Sequence, residues 1–175
     1  MLKKIILGIL MVALVGSFIF FKLGGGEELE FQVKSYPHLY ISGKEYIAKY
    51  NDPKMEDLFF EAKEIAEQRG DCDLTVVNYL TPVMKDSVRQ FIGVTSADST
   101  IISGLAFNDV RTFHNAMFLK TIITAHNLVM PRPEDVREEA KKYADQQGYK
   151  LDNYTIELYK DSRDMEIYFP ILTKK

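Results

Sequence analysis

The chain has no tryptophan, one cysteine and three histidines among its 175 residues. A single cysteine, Cys72, cannot close an intramolecular disulfide or build a cysteine-rich metal centre. Its neighbours Asp71 and Asp73 disfavour a thiolate, which makes it a poor nucleophile. His38, His114 and His126 show no metal-ligand spacing such as His-x-x-x-His, so neither zinc nor haem is expected, and no cofactor is assigned. There is no Gly-x-Ser-x-Gly elbow, and the one glycine triplet is not followed by Lys-Ser/Thr, which removes the serine-hydrolase and phosphate-loop readings. Positive charge is scarce as well. Setting aside Lys3, Lys4 and Lys22 leaves 19 of the 22 basic residues against 25 acidic ones, a net of −6 beyond residue 22. An acidic body without a basic stripe is not expected to bind nucleic acid.

What is present is apolar in two different ways. Ile5 to Phe21 runs without a charge, and as a helix it would be about 25 Å long. Lys3 and Lys4 precede it, while Glu27, Glu28 and Glu30 follow Lys22. That asymmetry predicts an uncleaved signal anchor over residues 1–22, with the N-terminus in the cytoplasm and the rest of the chain periplasmic or otherwise outside it. Bulky aromatics around Lys22 offer no signal-peptidase site, and no cysteine follows that could carry a lipid. Gly24-Gly25-Gly26 marks a linker over 23–28, and residues 29–175 form the expected domain.

Within that domain the pattern strand, helix, strand, strand is stated twice. Asp52 and Pro53 open the first helix, Met55, Leu58, Phe59, Ala62, Ile65 and Ala66 form its apolar stripe, and Gly70 ends it. Pro133 opens the second, Val136, Ala140, Tyr143 and Ala144 form its stripe, and Gly148 closes it. A shift of 80 positions lays Pro53 on Pro133, Thr75 on Thr155, Val76 on Ile156 and Tyr79 on Tyr159. The predicted class is α+β: duplicated β-α-β-β modules forming a pseudo-twofold antiparallel sheet, with helices on one face and a central cleft on the other.

The chain ends in a hairpin signature, Tyr154-Thr-Ile-Glu-Leu-Tyr159, a polar loop, then Met165-Glu-Ile-Tyr-Phe-Pro-Ile171. Alternation puts Tyr154, Ile156 and Leu158 on one face and Thr155, Glu157 and Tyr159 on the other. Met165, Ile167 and Phe169 make an apolar face of the second strand, opposite Glu166 and Tyr168. Pairing the two apolar faces predicts that Glu157, Tyr159, Glu166 and Tyr168 share one surface, either lining a cleft or facing solvent.

Ile156-Glu157-Leu158-Tyr159 and Glu166-Ile167-Tyr168-Phe169-Pro170-Ile171, with the duplicated layout, resemble GyrI-like small-molecule-binding domains over about residues 29 to 172. The resemblance implies a lipophilic, often cationic or aromatic ligand in a central cleft, a fold akin to haem-binding SOUL proteins, and a cleft glutamate at Glu157. A few such domains hydrolyse reactive cyclopropane-bearing compounds. The expected ligand-binding set is Glu157, Tyr159, Tyr168, Glu166, Tyr79, Tyr46 and Phe118, because a carboxylate among aromatic faces suits a lipophilic cation. Two other readings stand beside it. One is a hydrolase using Glu157 and Tyr159, and the other is a membrane-tethered protein-interaction module.

Overall fold

An antiparallel sheet organises the computed structural model. It describes residues 2–26, 28–49, 52–81, 86–96, 98–103, 107, 109–126, 128–160 and 164–174. The strands are β1 (Gln32–Lys49), β2 (Asp73–Tyr79), β3 (Ser87–Ser96), β4 (Asp109–Ile123), β5 (Tyr149–Leu151), β6 (Tyr154–Tyr159) and β7 (Met165–Lys174). The helices are α1 (Leu2–Lys22), α2 (Pro53–Arg69), α3 (Ser99–Ser103) and α4 (Pro133–Gln146). The strand order is β4-β1-β3-β2-β6-β7-β5; because β4 also pairs with β7, six strands curl into a ring, and β5 hangs on the far end of β7.

The duplicated layout is visible in the pairing. One unit is β1-α2-β2-β3 and the other is β4-α4-β6-β7, with β5 added after α4. β1 pairs with β3 as β4 does with β7, and β2 pairs with β3 as β6 does with β7. The units join through β1–β4 and β2–β6. The shift of 80 positions aligns these elements but not their faces. Val76 packs towards α2, whereas Ile156 points into the ring. Side chains alternate with period two, so an even shift that is wrong by one residue turns every side chain over.

A closed sheet gives each strand two buried faces. Leu39, Ile41, Val77, Phe91, Phe118, Ile156 and Tyr168, drawn from all six ring strands, fill the inside. On the outside, Leu58 and Ala62 of α2 cover Leu74, Val76, Ile92 and Val94. Val136, Ala140 and Ala144 of α4 cover Leu119, Ile123, Ile167 and Phe169. The caps are as the sequence implies: Asp52 accepts the Lys54 N–H at 3.0 Å, and Gly70 ends α2 in the left-handed region at φ 68°. Gly43 and Gly93 pair across β1 and β3, and a Cβ on either would run into the backbone of the other strand. The small polar segment after β3 contains a helical turn, α3.

The single-pass membrane placement is overturned. Among the described residues no helix is long and apolar enough to cross a membrane. The uncharged run Ile5 to Phe21, at about 25 Å, is at the short end of what a span uses. With the span goes the assignment of the domain to the outer side of a membrane, and the membrane as a partner; the side chains of Lys3 and Lys4, on which the orientation rested, lie outside the described residues. The end of α1 is instead tied to the sheet. The Gly25 N–H donates to the Phe20 carbonyl at 2.9 Å, and the His126 N–H, just beyond β4, donates to the Leu23 carbonyl at 2.9 Å.

Candidate functional site: a groove between two helices

α2 and α4 lie on the same outer face of the ring, and the joint between β2 and β6 runs between them. In that joint Glu157 stands directly opposite Val76, Asn78 opposite Thr155, and on the next strand Gln90 opposite Asn78. Residues directly opposite share a face, so Gln90, Asn78 and Glu157 form a polar line across an otherwise apolar floor. Gln90 Nε2 donates to Asn78 Oδ1 at 2.6 Å. That leaves the Asn78 amide group to donate to Glu157. The Tyr159 hydroxyl donates to Glu157 Oε2 at 2.9 Å.

Two cavities meet at this line. One, of about 460 Å³, lies under α2 and is walled by Met55, Phe59, Phe60 and Tyr159, with Asp52 and Glu56 at its rim. The Phe59 ring meets Tyr159 edge-on at 5.4 Å and Phe60 at 6.0 Å. The other, of about 470 Å³, lies under the start of α4 and is walled by Pro133, Val136, Arg137, Ile167 and Phe169. Glu157 and Gln90 line both. Each volume suits a small organic molecule. A third cavity, lined by Glu28, Glu30, Lys34 and Lys120 among others, contains none of the expected site residues.

Burial pushes the Glu157 carboxyl above the usual carboxylate range, and the hydrogen bonds from Tyr159 and Asn78 only partly offset it. Burial also pushes Tyr159 up, and the adjoining Glu157 charge adds to that. No cation is paired with Glu157 among the described residues.

Of the seven residues singled out from sequence, Glu157 and Tyr159 line this groove. Tyr46 packs beside it in the α2 cluster, its hydroxyl bonded to Asp52. Tyr79 borders the second cavity, but its ring lies against Arg89 and Arg111, 4.6 and 5.5 Å from the two guanidinium carbons, and its hydroxyl accepts from Arg111. Phe118, Tyr168 and Glu166 are on the other side of the sheet, inside the ring. There Lys120 Nζ donates to Glu166 Oε1 at 2.6 Å, Tyr168 donates to its other oxygen, and the Tyr36 and Tyr168 hydroxyls bond at 2.9 Å. The expectation that Glu166 and Tyr168 share a surface with Glu157 and Tyr159 is therefore corrected. The register sets Glu157 opposite Ile167 and Leu158 opposite Glu166. Both faces of this hairpin are buried, one by the ring and one by the helices, so matching apolar face to apolar face pairs the wrong sides.

Sequence reasoning missed Gln90, Asn78, Phe59, Phe60 and Arg137 as groove residues. Asn78 and Gln90 had a readable signal, since each interrupts the apolar alternation set by Val76 and Ile92 on its strand. Among the described residues no group of His, Cys, Asp and Glu is placed to hold a metal, and the side chains of His38 and His114 lie outside those residues. Burial, with Asp71 beside it, pushes the Cys72 thiol up.

No protein-family model matches the chain, and no curated protein matches it. Solved structures do. A cryo-EM structure of EcmrR in complex with DNA is 14% identical, with a TM-score of 0.57 over 97% of this chain and 67% of that one. The crystal structure of the EcmrR C-terminal domain is 13% identical, with a TM-score of 0.54 over 83% and 98%. The chain has the fold of that domain. That is consistent with the GyrI-like fold implied by the hairpin residues, and at these identities the likeness is one of fold alone. SAV2435 bound to tetraphenylphosphonium is 18% identical, with a TM-score of 0.48 over 81% of this chain and 93% of that one.

Proposed function

We propose that the groove between α2 and α4 binds a small lipophilic cation, with Glu157 as its counter-charge. The observation that carries this reading is the position of Glu157: a half-buried carboxylate, without a cationic partner among the described residues, on the floor where the two cavities meet. Desolvation alone would favour a neutral side chain there, and a bound cation restores the charged form. Tyr159, Phe59 and Phe60 supply ring faces and edges around it, and aromatic faces attract cations. Rim acids Asp52 and Glu56 favour entry of positive charge. The test is a thermal-shift and fluorescence titration with an aryl monocation and its neutral isostere. The cation binds more tightly in the native chain, and Glu157→Gln weakens it by about 1–3 kcal/mol while changing the neutral compound less. Equal binding of the two compounds, or a Glu157→Gln variant that binds the cation as well as the native chain, refutes the reading.

A second reading, hydrolysis of a reactive small molecule, is favoured by one feature. Glu157 and Tyr159 form a hydrogen-bonded pair whose proton affinities are both raised, which suits an acid or base held near a substrate. Turnover of an electrophilic substrate that Glu157→Gln abolishes, with binding retained, would put this reading first.

A further inference from the structure

The two lobes of the groove differ in charge. The lobe under α2 carries acids, Asp52 and Glu56, beside its aromatic walls. The lobe under α4 carries Arg137 beside Val136, Ile167 and Phe169. Arg137 is unlike the other described arginines. Arg69 pairs with Asp71, Arg89 and Arg111 with Glu45, and Arg132 with Asp135. Among the described residues Arg137 has no ion pair, and its Nε is buried without a hydrogen-bond partner. Glu134 lines the same lobe one turn earlier on α4, but it is exposed and makes no ion pair with Arg137. A buried guanidinium donor left unmade is unfavourable, and an anionic oxygen is the partner that satisfies it best.

We infer that the groove is bipartite and that its ligand is an elongated zwitterion: the cationic aromatic part lies on Glu157 and Tyr159, and a carboxylate or similar planar anion reaches Arg137. This rests on the cation-binding reading above and adds the second lobe to it. The continuity of the site is physical, because Glu157 and Gln90 line both cavities. The planar fork of arginine fits a carboxylate through two parallel N–H donors, which a lysine does not reproduce.

The experiment titrates the full chain, by fluorescence anisotropy, with an ethyl-ester rhodamine, a monocation, and with the zwitterionic free acid of the same dye. The native chain binds the free acid about tenfold more tightly than the ester, the gain of one charge-assisted contact. Arg137→Gln removes that advantage, lowering affinity for the free acid about tenfold and for the ester by less than threefold. Arg137→Lys retains part of the advantage and guards against a folding defect in the glutamine variant. Equal binding of the two dyes by the native chain, or an Arg137→Gln variant that weakens both alike, overturns the bipartite site while leaving the cation site standing. Failure of the ester to bind, or its indifference to Glu157→Gln, overturns the cation site and this inference with it.

Discussion

Glu157 and Glu166 sit on adjacent strands of one hairpin and meet opposite fates. Glu166 points into the ring, where Lys120 lies 2.6 Å away and both side chains are only 15% exposed. Burial alone would raise its pKa, but the hydrogen bonds from Lys120 and Tyr168 outweigh it and hold the carboxyl below the usual range. Glu157 points out, into the groove between the helices, where it meets neutral donors and, among the described residues, no cation. There burial wins and the pKa rises. Both groups are desolvated, so the presence of a paired charge decides the sign. Glu166 is thereby satisfied and belongs to the architecture, while Glu157 has no counter-charge among the described residues.

The largest effect is expected from breaking the satisfied member. Lys120→Met strands Glu166 inside the ring and lowers stability by about 3 kcal/mol at neutral pH. Native Glu166 has a depressed pKa, so its contribution is present above the ordinary carboxylate range and is lost as pH falls through the depressed value. In the variant Glu166 accepts a proton on acidification, so the deficit narrows at low pH. Adding Glu166→Gln recovers most of it. Urea unfolding of the native chain and the two variants across pH checks this, and a Lys120→Met variant as stable as the native chain would mean that the pair holds nothing together.

A smaller effect of opposite sign is expected at Glu157. Its pKa is raised by folding, so the native chain loses stability relative to Glu157→Gln as pH climbs from the ordinary carboxylate range through the raised value. The glutamine variant therefore has the higher Tm at neutral pH and a flatter profile. Cation affinity of the native chain rises over the same interval, because only the carboxylate attracts the ligand, and in the variant it does not. A native affinity independent of pH would remove Glu157 from the binding event.

The smallest change sharpens the contrast. Tyr159→Phe deletes one of the hydrogen bonds that lower the Glu157 pKa, at about 1 kcal/mol. The pH at which cation affinity rises should move upward. Tyr168→Phe deletes the corresponding bond to Glu166 and should leave that profile in place, because Tyr168 acts on the other side of the sheet. Parallel titrations of the two variants distinguish the faces.

Local sequence was sufficient wherever the controlling interaction is local. The stripes of α2 and α4 are the ones that pack, Asp52 caps as a helix-start aspartate does, and Gly70 takes a left-handed φ that disfavours a side chain. The alternation that separates Glu157 from Ile156 and Leu158 holds as well, since it is a property of one extended chain. The duplicated order of elements was legible for the same reason.

Which face met which surface was a different matter. Residues 154–159 and 165–171 each offer two buried faces, and a slip of one residue in their pairing would exchange those faces. The closure of β4 onto β7 created an apolar interior, and that interior took Phe118, Tyr168 and the Glu166–Lys120 pair away from the groove. Likewise Arg137, an ordinary exposed-looking position on an amphipathic helix, became a groove residue only because α4 docks beside the β2–β6 joint. The chain by itself determined its elements, their caps and their alternation, because those follow from backbone periodicity and local hydrogen bonding. Tertiary structure alone decided which carboxylate found a cation and which was left open, because charge pairing depends on distances between strands far apart in sequence.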